Sequence, residues 1–158
     1  MTDLAAMPER SLEAHPDLVL AGTYTRHVPA PIAAVWENVF DWEHLPWLHA
    51  GAFRSIELRA SGHWGWHADL AFAAGPEAEI ELVVDPARSC YVARTRSGAG
   101  APGEIWTHLE SRSEGETGVR VAFRVPPVDD SALRVLGDGY RTLYQQLWDE
   151  DESMILER

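Results

Sequence analysis

The sequence predicts an α+β domain in which a curved antiparallel sheet of about seven strands wraps around one long C-terminal helix. Three observations predict it. Between Phe53 and Pro126 apolar residues recur with period two, and turn residues cut the stretch into about six segments at hairpin spacing. After Pro126-Pro127 the period becomes helical and holds from Ser131 to about Leu156. Ahead of both, a strand pattern is followed by two short helical ones.

Residues 1–17 are polar, carry Pro8 and Pro16, and read as a loose lead-in to a single domain over 18–158. Leu18 to Val28 is the first strand, stopped by Pro29 and Pro31. Ile32, Val35, Trp36, Val39 and Phe40 fall at helical spacing, and Asp41 to His49 continues as a second short helix interrupted by Pro46. Turn signals follow at Ser61-Gly62, Gly75-Pro76, Asp85-Pro86, Gly98 to Gly103 and Gly115 to Gly118. On one strand Trp64, Trp66, Ala68, Leu70 and Phe72 share a face, with His63, His67 and Asp69 on the other, read as solvent-facing. Ile80, Leu82 and Val84 alternate with Glu79 and Glu81, and Val119, Val121, Phe123 and Val125 with Arg120 and Arg124, which predicts a sheet with one solvated face. At about 100° per residue, Leu133, Leu136, Tyr140, Leu143, Tyr144, Leu147, Met154 and Ile155 form one stripe on the last helix.

The length, 158 residues, suits one domain. With 13 Lys+Arg against 25 Asp+Glu the net charge is −12, and no basic stripe interrupts it, so nucleic acid and anionic membranes are poor partners. One cysteine, Cys90, makes no internal disulfide and holds no iron–sulfur cluster, which points to a reducing, cytoplasmic setting. Met1 to Glu13 lacks a basic start followed by a long apolar run, so no signal peptide is expected, and no apolar stretch is long enough to span a bilayer. Seven tryptophans call for a large aromatic core or an aromatic-lined pocket.

The element order is similar to the helix-grip fold of the START/SRPBCC superfamily over roughly residues 18–156. That resemblance implies a cavity between sheet and helix. By itself it leaves binding, cyclase, hydrolase and oxygenase functions open.

The chemistry concentrates in the segment Trp36 to His49, with Asn38, Asp41, His44 and His49 at intervals of three, three and five. On an unbroken helix two residues five apart diverge by about 140°. Pro46 between the histidines is read as ending the helical run, so that both imidazoles converge across a break. Asp41, one turn before His44, is placed to orient that ring. A third ligand is sought in Asp149-Glu150-Asp151-Glu152, where only Asp151 lies near the centre of the apolar stripe, about 20° from Tyr140, against about 180° for Asp149. An ionised carboxylate on a buried face needs a partner, and two histidines around a cation supply one; a frayed, solvated helix end is the alternative.

The pattern Asn38-x-x-Asp41-x-x-His44-x-x-x-x-His49 resembles the mononuclear iron motif of Rieske-type aromatic-ring-hydroxylating oxygenases (dioxygenases), whose catalytic domain is also helix-grip. The resemblance implies Fe(II) held by His44, His49 and Asp151. It also implies a link to electron transfer at Asp41, a polar neighbour at Asn38, and an aromatic compound bound alongside. Trp47, Trp66, Trp106, Phe123 and Tyr144 are the expected pocket walls. The Rieske cysteine and histidine pairs of that family are missing, so electrons would have to come from a separate Rieske or ferredoxin chain. Two other functions are carried forward: a metal-free carrier of a hydrophobic small molecule, and a Zn(II) relative acting hydrolytically on water.

Overall fold

A computed structural model describes residues 11–157. The first ten residues of the predicted lead-in lie outside the described residues. The chain runs β1 (Val19–Val28), α1 (Ile32–Phe40), α2 (His44–Leu48), β2 (Phe53–Gly62), β3 (Gly65–Phe72), β4 (Glu77–Asp85), β5 (Cys90–Gly98), β6 (Gly103–Ser113), β7 (Glu116–Val125) and α3 (Asp130–Glu157). The strands form one antiparallel sheet in the order β1-β7-β6-β5-β4-β3-β2. Hairpins join neighbours from β2 to β7, and the one long connection, through α1 and α2, carries the chain from β1 to the opposite edge. The sheet curves around α3, and the architecture is the helix-grip fold.

Local chemistry accounts for the boundaries. Pro31 caps α1 in an extended conformation, since its missing N–H is one that a first turn does not need. Thr117 on β7 donates to the carbonyl of Ala30 at 2.8 Å, which ties the β1–α1 corner to the sheet. α3 crosses β1 at close range because both surfaces are glycine there. β1 bulges between Leu20 and Gly22, and a Cβ on Gly22 would stand 3.3 Å from the Cα of Gly137.

Two apolar clusters share the concave face. One gathers Tyr24, Val28, Val35, Leu109, Val121 and Phe123 under α3, the other Val39, Phe53, Trp66, Leu70, Ile80 and Leu82 under α1 and α2. Two details of the α3 stripe differ from expectation. Leu136 is exposed, since at this point α3 meets β1 through the adjacent Gly137, whereas Trp148 is buried.

The convex face is not solvated throughout, as the alternation predicts. Glu81, Arg94 and Glu104 lie on it at 1–3% exposure. The reason is residues 11–17, which are not loose but lie across it: His15 N–H donates to Glu104 Oε1 at 3.0 Å and Arg94 Nη2 to the carbonyl of Glu13 at 2.7 Å. Arg94 and Glu104 form an ion pair at 2.7 Å beneath them. His67 is also partly covered and bonds Glu79 at 2.6 Å, while His63 is exposed as expected. No helix among the described residues is long and apolar enough to cross a membrane.

Candidate functional site

A cavity of about 210 Å³ lies between the concave sheet and α3. Its walls are mostly apolar: Leu45, Phe53, Trp66, Leu70, Ile80 and Leu82 on the sheet and α2 side, and Leu143, Tyr144, Leu147 and Trp148 from α3. Asn38, His44, His49 and Asp151 form a polar end.

The two histidines reach that end from the ends of α2. His44 is its first residue, and His49 follows its last, leaving helical geometry at φ −105° and ψ 42°. Pro46 plays a different part from the one expected. It sits inside the first turn of α2, where amide hydrogens have no intrahelical acceptor, so it breaks nothing. The chain bends ahead of His44, at Asp41 to Glu43, and again at His49. The imidazole rings end 5.2 Å apart, at 74° to each other.

Asp151 is buried and meets both rings, as its helical phase requires. His49 Nε2 lies 2.9 Å and His44 Nε2 3.3 Å from the same oxygen, Oδ1. The opposite nitrogens are also held. His44 Nδ1 bonds the main-chain carbonyl of Asp41, so Asp41 orients the ring through its backbone. His49 Nδ1 faces Glu150 Oε1 at 3.2 Å. Glu150 is a site residue that helical phase does not pick out, because it lies to the side of the apolar stripe. A carboxylate adjoining an inward one was the available signal.

Four ring nitrogens thus each face an acceptor, while two neutral imidazoles carry only two N–H groups between them. Extra protons or a cation must supply the deficit. Burial pushes the Asp151 carboxyl up, but the imidazoles of His44 and His49 outweigh it and hold it down at about 2. Burial pushes His49 down, and Asp151 and Glu150 outweigh that and raise it.

The donor set also fits a metal ion. Two imidazole nitrogens and one carboxylate oxygen lie within 4.8 Å of one another. Metal–ligand bonds of about 2.1 Å meeting near 90° put neighbouring donors about 3.0 Å apart, close to the 2.9 and 3.3 Å found here. With both Nδ1 atoms spent on oxygen acceptors, neutral rings turn their Nε2 lone pairs inward, as ligating histidines do.

The other expected residues divide. Asn38 borders the cavity at 4% exposure, and its Oδ1 has no hydrogen-bond partner. Trp66 and Tyr144 line the wall, Trp66 anchored by a 3.2 Å bond from Nε1 to the carbonyl of Val39. Trp47 is not a wall residue: it is 66% exposed, because a five-residue helix that turns Leu45 and both histidines inward must turn Trp47 out. Trp106 lies on the convex face, bonded to Glu104 at 3.1 Å, since the inward phase of β6 belongs to Ile105, Thr107 and Leu109. Phe123 faces inward, but it sits behind the tyrosines of α3 rather than on the cavity. His27 and His108 border a convex-face groove of about 340 Å³, away from this site.

No family model matches the chain, and no curated protein matches it. Solved structures do. A START superfamily protein from Mycobacterium smegmatis has a TM-score of 0.70 at 17% identity, over 89% of this chain and 97% of that one. The Zhui aromatase/cyclase from Streptomyces sp. R1128 gives 0.70 at 12% identity, over 86% and 93%. Norcoclaurine synthase from Thalictrum flavum, in complex with dopamine and hydroxybenzaldehyde, gives 0.68 at 18% identity, over 90% of each chain. At these identities the likeness establishes the fold.

Proposed function

We propose that this protein binds a hydrophobic small molecule in the cavity under α3, beside a divalent metal ion held by His44, His49 and Asp151. Fe(II) is the metal that two histidines and one carboxylate suit best, with Zn(II) the alternative. One observation carries the metal: the ring nitrogens outnumber the available N–H groups, and a cation accepting both Nε2 lone pairs beside Asp151 removes the deficit. The apolar walls carry the ligand, and the norcoclaurine synthase complex with two small aromatic molecules supports that use of the fold.

When bound, the ion supplies Lewis acidity and, as Fe(II), redox chemistry beside an apolar compartment. The chain supplies the setting. The Asp41 carbonyl and Glu150 fix the two rings, Asn38 offers an amide to the polar end, and Leu45, Trp66 and Leu147 exclude water from it. Use of the iron for oxygenation, the finer proposal, needs a separate Rieske or ferredoxin chain as electron donor. A metal-free hydrophobic-ligand carrier is the second reading, favoured by the way Asp151 already pairs with both histidines.

The test is elemental analysis of protein purified anaerobically and reconstituted with Fe(II), beside His44→Ala and Asp151→Ala. About one iron per chain, lost in both variants, is expected. Absence of metal from correctly folded wild type, with retained binding of aromatic probes, would favour the carrier instead.

A further inference from the structure

Two phenol hydroxyls in the cavity wall have no protein partner among the described residues. Tyr140 and Tyr144 lie one turn apart on α3, and both line the cavity. Their rings are already accounted for by packing: Phe123 stacks on Tyr140 at 5.1 Å and meets Tyr144 edge-on at 5.0 Å. Their oxygens are not. Tyr24 shows the contrast, since its hydroxyl donates to Gln145 and accepts from Arg26. Burial raises the pKa of both cavity tyrosines, and no hydrogen bond offsets it.

Phenylalanine at either position would pack on Phe123 equally well and leave no polar atom to desolvate. The hydroxyls therefore answer to whatever fills the cavity. Their position along α3 says where on the ligand they act. At 1.5 Å per residue, Tyr144 stands about 10 Å and Tyr140 about 16 Å from Asp151 along the helix axis. At the far end Tyr140 approaches the β5–β6 loop, its hydroxyl 3.9 Å from where a Cβ on Gly100 would lie. An engineered dry cavity of about 150 Å³ takes benzene, so about 210 Å³ drawn out over this length suits something longer and slim.

We infer that the ligand is an elongated, mostly apolar molecule that carries hydrogen-bonding oxygen remote from the His44–His49–Asp151 cluster, where Tyr140 and Tyr144 receive it. The inference rests on the ligand-binding function proposed above. It excludes a plain hydrocarbon as the preferred occupant and makes the two tyrosines determinants of specificity.

The experiment measures dissociation constants of trans-stilbene and 4,4′-dihydroxystilbene for the full chain by quenching of tryptophan fluorescence, Trp66 and Trp148 both lining the cavity. Wild type and a Tyr140→Phe/Tyr144→Phe double variant are compared. In wild type the diol binds more tightly. In the variant the diol's advantage over stilbene shrinks by about 3- to 10-fold, the worth of a net hydrogen bond, while stilbene affinity is unchanged. An undiminished advantage in the variant would overturn the inference and leave the hydroxyls to water. Equal binding of both compounds by wild type would overturn it as well, with ligand binding intact. Binding of neither would remove the ligand-binding function and the inference together.

Discussion

Gly137 and Gly139 lie two residues apart on α3, and the same substitution at each should move stability in opposite directions. An alanine in a helix interior gains about 1 kcal/mol over glycine. At Gly139 a Cβ meets nothing within 4 Å, so that gain is realised, and melting should rise by about 2 to 4 °C for a chain of this size. At Gly137 a Cβ overlaps the carbonyl oxygen of Ala21 and stands 3.0 Å from its carbon. Both obstacles are backbone, in the bulge of β1, so no rotamer change relieves them. Overpacking costs about 1 to 3 kcal/mol, and the upper end applies where only a rigid shift of α3 makes room. Set against the propensity gain, Gly137→Ala should lose about 2 kcal/mol, or about 4 to 8 °C. The shift also lifts Tyr140 and Tyr144 away from the sheet, so affinity for a cavity ligand falls with stability. Thermal and urea melts of both variants, run beside wild type, read the difference. Equal stability of the two variants would refute the close crossing of α3 over β1.

Other perturbations test other parts of the molecule. Glu104→Gln keeps the acceptor for His15 and Trp106 but takes away the carboxylate paired with the buried Arg94 guanidinium, which should cost about 3 to 5 kcal/mol in urea unfolding; a loss under about 1 kcal/mol would mean that Arg94 is held by its other neighbours, the Glu13 carbonyl and the cross-strand Glu81. Burial pushes Glu79 up, but His67, Ser97 and Arg59 outweigh it and hold its pKa below the usual glutamate value. Its contribution is therefore present above about pH 4 and is lost as pH falls through the lowered value. The urea midpoint of wild type should exceed that of Glu79→Gln at pH 6 and converge on it in acid, whereas a gap that widens in acid would contradict the sign. Cys90 is 4% exposed, and burial pushes its thiol up. Ellman's reagent should react with it only as fast as the native protein opens; rapid labelling of native protein would show that this face is uncovered.

Much of the fold is legible without coordinates because its signals are local. Ile32 to Phe40 and the run from Ser131 carry a helical period and begin shortly after prolines, Pro31 and Pro127, and α1 and α3 follow them closely. The six hairpin-linked strands follow their turn residues for the same reason. Asp151 is legible in a stronger sense. A regular helix converts position into angle, so a carboxylate in phase with Tyr140 and Tyr144 must enter the core wherever the helix does. His44 and His49 are legible as a pair, although the bends that bring them together are set by where α2 begins and ends and not by Pro46.

What the sequence determines by itself is therefore the order of elements, the inward face of each long one, and the residue types gathered at one end of a cavity. Tertiary structure alone decides what covers each face. Alternation says that Trp106 opposes Thr107, but it does not say that residues 11–17 fold back over Trp106, Arg94 and Glu104 and make that side a second buried layer. Nor does periodicity reveal that Glu150 reaches His49 across 101 residues, or that Tyr140 and Tyr144 line a cavity instead of filling the core completely. The physical reason is the same in each case. Period and propensity are properties of a few adjacent residues, whereas burial and hydrogen-bond satisfaction are properties of contacts between distant ones.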